Sequence, residues 1–213
     1  MKKSFFSIIC LIAALTANQA LASGDAVAGE SKVAVCAGCH GGDGNSMVAS
    51  FPKLAGLGEN YLVRQLRDIK SGERVIASMT GILDASSDQD LQDMAAYYNG
   101  QQRQISGAQE ITLIGYSEPA EVLELGENIY RGGNIKTEVA ACIGCHSPAG
   151  KGNDPAGYPA LGGQHADYIE SQLLKYRSGE RASGGNAKIM QGVAERMSNK
   201  EIKAVANYIS GLN

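Results

Sequence analysis

The sequence predicts an all-α fold built as a tandem duplication of two small domains. The pentapeptide Cys-x-x-Cys-His occurs twice, at Cys36–His40 and at Cys142–His146. The segments that follow the two copies align with each other, and their apolar residues recur at the spacing of a helix face. A chain of 213 residues can form two domains of roughly 90–100 residues, each with a modest core.

Five pairs of segments carry the duplication beyond the pentapeptides. In chain order they are Gly42–Asn45 with Gly150–Asn153, Phe51–Gly56 with Tyr158–Gly163, Tyr61–Leu66 with Tyr168–Leu173, Lys70–Arg74 with Arg177–Arg181, and Met79–Ile82 with Met190–Val193. A single repeat of this length indicates a duplicated domain and not a short-period solenoid.

Helices are predicted on both sides of each pentapeptide. One is expected before it, near Asp25–Val35 in the first half and near Ala120–Arg131 in the second. After the Pro-x-Leu loop of the first half, Leu62, Leu66 and Ile69 fall on one helix face, and the second half has apolar residues at the matching positions.

Glycines and capping boxes predict where these helices end and begin. Gly72 and Gly179 stand where a helix-ending glycine belongs. The last helix of each half opens with a capping-box pattern, at Ser87–Asp90 and at Ser198–Glu201. Only Glu110–Tyr116 shows a trace of strand periodicity.

These signals divide the chain into four parts. We expect an N-terminal domain over residues 23–100, a partly ordered linker over 101–119 and a C-terminal domain over 120–213. Residues 1–22 have the layout of a secretory signal peptide: a cationic start, an apolar run and an A-x-A cleavage pattern at Ala20–Ala22. We therefore expect export to the periplasm, with a retained anchor as the alternative.

The overall composition narrows the function classes. Acidic residues outnumber basic ones, 22 to 19, and the chain has no tryptophan. This balance does not resemble a nucleic-acid-binding surface, so no nucleic-acid partner is expected. No stretch after the first residues is long and apolar enough to span a bilayer.

Cys-x-x-Cys-His is the attachment signature of a c-type haem. Two thiols at this spacing reach the two vinyl groups of one porphyrin, and the following histidine lies under the iron as its proximal ligand. The predicted haem-bonding cysteines are Cys36, Cys39, Cys142 and Cys145, and the predicted proximal ligands are His40 and His146.

Two other interpretations of these cysteines stay open. Four of the five cysteines lie after residue 22, and an exported protein with four cysteines can hold two disulfides, although a disulfide has no need of the histidine. A zinc site needs four ligands, and Cys36, Cys39 and His40 supply only three. The adjacent Cys39 and His40 are also poorly placed to bind one small ion together.

The repeat predicts the sixth iron ligand. Of the five methionines after Met1, only Met79 and Met190 occupy equivalent positions: each is followed by x-Gly, and each precedes a capping serine by eight residues. A neutral thioether suits low-spin haem iron. Met94 and Met197 are expected in the cores, with Met197 the main competitor for the second iron, and Met47 has no counterpart.

Two further features surround the predicted ligands. A metal-bound histidine usually donates its other N–H to a carbonyl or carboxylate, and we expect Pro52 to supply that carbonyl for His40 and Pro159 for His146. The alternative is that each proline only stiffens a turn. His165 has no equivalent histidine and is expected at a helix end on the surface.

With these motifs the chain resembles the dihaem cytochrome c4 family. The resemblance covers essentially the whole chain after residue 22, through both pentapeptides, the Pro-x-Leu loops, the Tyr-x-x-x-Gln-Leu and Ser-Gly-Glu-Arg segments and the Met-x-Gly sites. It implies two class-I cytochrome c domains around covalent haems, related by a pseudo-twofold axis, with haem propionates near the interface. The segment before the second pentapeptide is longer than that before the first.

The resemblance also implies a function. Such a protein is expected to be a monomeric carrier, soluble or loosely membrane-associated, with two covalently attached haem c groups. It would pass single electrons from respiratory donors to a terminal oxidase or reductase. Two irons with Met/His ligation offer no open site for a substrate, which argues against an enzyme. The alternative is a catalytic oxidoreductase, peroxidase-like or sulfur-oxidising, or its electron-transfer subunit.

Overall fold

A computed structural model describes residues 23–213; the predicted signal peptide of residues 1–22 lies outside the described residues. The helices are α1 (Ala26–Lys32), α2 (Ala34–His40), α3 (Glu59–Lys70), α4 (Asp88–Asn99), α5 (Pro119–Gly132), α6 (Ile143–His146), α7 (Ala166–Ser178), α8 (Ala187–Ala194) and α9 (Asn199–Gly211), with 3₁₀ turns at Ala77–Met79 and Asp154–Ala156. Pairing of β type within residues 23–213 amounts to two isolated bridges. The predicted all-α class is therefore confirmed.

Each half has its own core. Helices α1, α3 and α4 enclose the first, which includes Leu62, Leu83 and Leu91. Helices α5, α7 and α9 enclose the second, which is larger and includes Tyr130 and Ile202. None of the helices described in residues 23–213 combines the length and apolar character needed to cross a membrane.

The predicted helix starts and stops are confirmed. Ser87 and Ser198 each accept a hydrogen bond from the backbone three residues on, and the acidic residue there bonds back to the serine, so both capping boxes are complete. Gly179 ends α7 with a left-handed backbone at φ 79°, and Gly72, just after α3, has the same φ. A residue with a Cβ would be strained at both positions.

Two predictions for the backbone were wrong in detail. The helix expected near Asp25–Val35 breaks at Val33, and the new helix α2 carries the first pentapeptide. The segment Glu110–Tyr116 is not a strand. The neighbouring residue Gln109 exchanges both backbone hydrogen bonds with the Asn207 side chain on α9, so this part of the linker lies against a helix and has no strand to pair with.

Glycines permit the closest helix crossing in each half. A Cβ added to Gly29 on α1 would lie 2.1 Å from the carbonyl oxygen of Asp93 on α4. A Cβ added to Gly126 on α5 would lie 2.3 Å from the carbonyl oxygen of Ala204 on α9. The first and last helices of each half therefore touch backbone to backbone, which only glycine allows.

We expect Gly126→Ala to lower the free energy of unfolding by about 1–3 kcal/mol through overpacking. This steric cost must exceed the roughly 1 kcal/mol that alanine gains in helix propensity. Gly132→Ala on the same helix is the matched control, because nothing lies within 4 Å of its added Cβ. Urea denaturation followed by circular dichroism measures both; equal stability of the two variants would contradict the close crossing.

Arg103 joins the two halves from the linker. Its Nε donates to the carbonyl of Ala55 at 2.8 Å, and its Nη1 donates to the carbonyls of Ala160 at 3.0 Å and Gly162 at 3.1 Å. Ala55 belongs to the Pro-x-Leu loop of the first half and the other two to that of the second. Burial lowers the pKa of Arg103 to about 10, so the guanidinium stays charged at neutral pH.

Arg103→Met removes three hydrogen bonds, one to the first half and two to the second. We expect a loss of about 2–3 kcal/mol in the free energy of unfolding, since hydrogen bonds from charged groups are the stronger ones. Arg131→Met is the control, because Arg131 is exposed and pairs with Glu127 one turn away, and its loss should cost within about 0.5 kcal/mol. Similar losses in the two variants, measured by urea denaturation, would refute the role given to Arg103.

Candidate haem-binding sites

Each half contains one large apolar cavity, and the predicted ligands of that half line it. In the first half, α2 places the pentapeptide along one wall, and the 3₁₀ turn that ends at Met79 lies in another wall. The predicted ligand residues on these walls are Cys36, Cys39, His40 and Met79. They come from segments about forty residues apart, which the fold brings to a single space.

The second cavity repeats this arrangement. Helix α6 carries Cys145 and His146 with Cys142 just before it, and helix α8 carries Met190. The predicted ligand residues that line this cavity are Cys142, Cys145, His146 and Met190. The equivalent methionines stand on different local structures, a 3₁₀ turn in the first half and an α-helix in the second.

Both histidines donate to the predicted prolines. His40 Nδ1 lies 2.9 Å from the carbonyl oxygen of Pro52, and His146 Nδ1 lies 2.8 Å from that of Pro159. A carbonyl oxygen can only accept, so Nδ1 carries the proton in each ring. The lone pair of Nε2 is thereby left for a metal. The prediction that these carbonyls hold the two imidazoles is confirmed.

An aromatic ring borders each imidazole. Phe51 packs edge-on against His40 with ring centroids 6.2 Å apart, and Tyr158 packs against His146 at 6.3 Å. Each aromatic residue directly precedes its proline, so one short loop supplies both contacts. These contacts limit rotation of the ligand ring.

Burial sets the protonation of both ligand types. It lowers the pKa of His146, with the bond to Pro159 opposing the shift, so the imidazole is neutral at pH 7 and able to bind a metal. Burial raises the pKa of Cys142 to about 12 and also raises that of Cys36.

The alternative interpretations of the cysteines gain no support. All four thiols are free and are not joined in pairs. Across residues 23–213, no three His, Cys, Asp or Glu side chains are grouped in a way that could hold a metal ion.

The other methionines lie where they were expected. Met94 and Met197 are buried in the two cores, while Met47 is 91% exposed. Met94 and Met197 also touch the cavities, but each sits among core side chains of its half. Met79 and Met190 are half-buried and lie on the 3₁₀ turn Ala77–Met79 and on α8, outside α3 and α7.

The two cavities share a wall. Seven residues line both of them: Leu57, Tyr61, Gln65, Tyr168, Gln172, Arg181 and Ser183. They lie on or just before α3 and on or shortly after α7. The haem pockets are therefore adjacent at the contact between the two halves.

Two arginines, one from each half, donate hydrogen bonds across this wall to the opposite half. Arg181 Nη2 donates to Tyr61 Oη and to Gln65 Oε1, both at 2.8 Å, in the opposite half. Arg74, its equivalent in the first half, donates to Tyr168 Oη at 3.4 Å and to the Gln172 amide oxygen at 3.1 Å. The contacts are reciprocal, as a pseudo-twofold relation requires.

Arg181 is 7% exposed, yet its side-chain partners are neutral. Among residues 23–213, no carboxylate forms an ion pair with it. A buried guanidinium is costly without an anion. Its position on the wall of both cavities suits the carboxylates of haem propionates, which arginine binds well.

Most residues of this wall are part of the internal repeat. Tyr61, Gln65 and Arg74 all belong to the repeated segments, as do their equivalents. Repetition alone could not show that they bond to the opposite half. His165 likewise begins α7 as expected, but its Nε2 donates to the Ser46 carbonyl of the first half at 2.8 Å.

The comparisons with known proteins agree with this geometry. The family model described as cytochrome c matches twice, at residues 26–102 and 131–213. The chain is 49% identical over 205 residues to cytochrome c4 of Stutzerimonas stutzeri, covering 92% of this chain and 93% of that protein. The crystal structure of reduced recombinant cytochrome c4 from Pseudomonas stutzeri matches with a TM-score of 0.82 and 48% identity, over 90% of this chain and all of that one.

A more distant relative bears another name. The chain is 36% identical over 178 residues to a protein of Stutzerimonas stutzeri strain A1501 called thiosulfate dehydrogenase electron acceptor. The match covers 83% of this chain and 78% of that protein.

Two adjoining cavities, each with a pair of thiols, a held imidazole and a thioether, define a dihaem c-type cytochrome, an electron carrier with two covalently bound haem c groups. The chain belongs to the cytochrome c4 family.

Proposed function

We propose that this cytochrome is a periplasmic one-electron carrier that takes electrons from respiratory donors and delivers them to a terminal oxidase or reductase. The observation that supports it best is the wall shared by the two cavities. Adjacent haem pockets let an electron enter through one half and leave through the other. Haem iron supplies the one-electron chemistry, and the polypeptide tunes it through ligands, burial and hydrogen bonds.

The ligand assignments are part of this proposal. The thioether bonds are assigned to Cys36, Cys39, Cys142 and Cys145, and the axial ligands to His40 with Met79 and His146 with Met190. Two protein ligands on each iron leave no coordination site for a substrate. This supports a carrier over an enzyme.

The surroundings of the carrier are proposed from the sequence. The signal-peptide pattern of residues 1–22 supports export to the periplasm, where c-type cytochromes receive their haem. We assign residues 23–100 and 120–213 to the two haem domains, joined by the linker 101–119. A monomer suffices, since both haem sites form within one chain.

A second candidate function is favoured by the relative called thiosulfate dehydrogenase electron acceptor. In that case the haem chemistry is the same and only the donor differs. Stopped-flow reduction of the oxidised protein distinguishes the two. Fast reduction by a quinol-oxidising membrane complex supports the respiratory role, whereas reduction only by thiosulfate dehydrogenase with thiosulfate supports the second.

We expect Met79→Ala and Met190→Ala each to abolish half of the weak far-red absorption band that reports iron–thioether bonding in ferric haem. Each variant should leave one haem high-spin and able to bind added imidazole. The double variant should lose the band completely. Absorption spectroscopy of the oxidised protein measures this.

Met197→Ala is the control for the second half. It removes a core side chain, 4% exposed, and should cost about 2–5 kcal/mol of stability while the band stays. Loss of the band in Met197→Ala, with its retention in Met190→Ala, would reverse the assignment of the ligand.

Arg181→Met should lower the reduction potentials of both haems, because a buried cation beside both cavities favours the less positively charged ferrous state. We expect at least about a tenfold change in each redox equilibrium, equivalent to about 59 mV for one electron. Arg181→Lys keeps the charge and should recover most of the shift in a spectroelectrochemical titration. Unchanged potentials in Arg181→Met would show that the arginine has only a structural role.

A further inference from the structure

The peptide group that accepts the hydrogen bond from His40 also donates one, through its N–H, to the opposite half. The carbonyl of Pro52 and the N–H of Lys53 belong to one peptide group. The carbonyl accepts from His40 Nδ1 at 2.9 Å. The N–H donates to the side-chain oxygen of Gln164, Oε1, at 2.9 Å.

Gln164 is built into this contact. Its side chain is 1% exposed, and its Nε2 donates to the carbonyl of Lys53 at 2.9 Å, so the amide pairs with both backbone groups of that residue. Its Oε1 also accepts from the N–H of His165 at 3.1 Å. The side chain therefore has one orientation, with oxygen toward the Lys53 N–H.

The second half has the same chain of hydrogen bonds. The carbonyl of Pro159 accepts from His146 Nδ1 at 2.8 Å. The N–H of the same peptide group, on Ala160, donates at 3.0 Å to the backbone carbonyl of Leu57 in the first half. Each ligand imidazole is thus connected, through a single peptide group, to an acceptor in the opposite half.

The two acceptors occupy equivalent positions in the repeat. Leu57 stands five residues after Pro52, and Gln164 stands five residues after Pro159. In one direction the acceptor is a backbone carbonyl, and in the other it is a side chain. A side-chain substitution can therefore remove only the series of hydrogen bonds that ends at Gln164.

Hydrogen bonds in series polarise one another. An acceptor on the N–H end of a peptide makes its carbonyl oxygen more negative, and that carbonyl then draws the imidazole proton more strongly. A histidine with a stronger acceptor donates more electron density to its metal, which stabilises the ferric state. The hydrogen bond to Gln164 should therefore lower the potential of the iron bound by His40.

We propose that Gln164 is a positioning residue for electron transfer, through which the C-terminal half sets the reduction potential of the N-terminal haem. This inference rests on the proposed function. It assigns to the contact between the halves a role beyond holding them together: docking of one half tunes the iron ligand of the other. The connection through Leu57 acts in the same way on the second haem.

The test uses the full haem-loaded chain with Gln164→Met, which keeps the length of the side chain and removes the acceptor. We expect the potential of the N-terminal haem to rise, with about a threefold change in the ratio of reduced to oxidised iron at fixed potential, while the C-terminal haem stays unchanged. In nuclear magnetic resonance spectra of the ferrous protein, the Nδ1–H signal of His40 should move upfield, and that of His146 should stay.

Gln164→Glu keeps an acceptor at the same place and adds a negative charge at pH 8. It should shift the potential of the N-terminal haem downward and the His40 Nδ1–H signal downfield. Gln109→Met is the matched control, because this exposed linker glutamine makes only a 3.4 Å side-chain contact with Gly107. It should move neither haem.

Movement of the His40 signal and the N-terminal potential alone, with opposite signs in the two Gln164 variants, supports the inference. Equal movement of both haems in Gln164→Met would show general loosening of the interface and would overturn it, as would no movement of either. A wild-type chain that fails to carry two haems in a haem-content assay would instead refute the proposed function itself.

Discussion

The hydrogen bond from each ligand imidazole to a proline carbonyl is the contact on which each half depends. It fixes the proton on Nδ1 of His40 and of His146, so that Nε2 faces the cavity as a neutral donor. The pentapeptide alone cannot do this, because a histidine at the end of a short helix is free to rotate. The loop that carries the proline must therefore be held, and in both halves it is held by the other half and by Arg103.

Two arginines at the contact between the halves also link each cavity to the opposite half. Arg181 and Arg74 direct their guanidinium groups at neutral tyrosine and glutamine side chains of the opposite half. Arg181 is buried and Arg74 is half-buried, and burying a cation without an anion costs stability. Haem propionates are anionic, so propionates near this wall would offset that cost.

Much of the fold could be read from the sequence because its signals are local. Helix periodicity, the capping boxes at Ser87 and Ser198 and the proline carbonyls each depend on residues close in the chain. The repeat then predicts Met79 and Met190 as the iron ligands, since they occupy equivalent positions. The break of the first helix at Val33 and the irregular course of the linker depend on packing against distant helices, which no local pattern reports. Contacts between the halves were missed for the same reason: a repeat aligns Gln164 with Leu57 but does not show that each reaches across.

We propose that two six-coordinate haems in adjoining pockets form one relay for single electrons. The most direct test is a redox titration of the full haem-loaded chain, followed by absorption and by electron paramagnetic resonance. Two one-electron steps are expected, one for each haem, with both irons low-spin throughout the oxidised state. A high-spin ferric haem in the untreated protein would contradict a carrier and indicate an open site for catalysis. A haem that takes up no electron over the range of potentials titrated would also contradict a carrier.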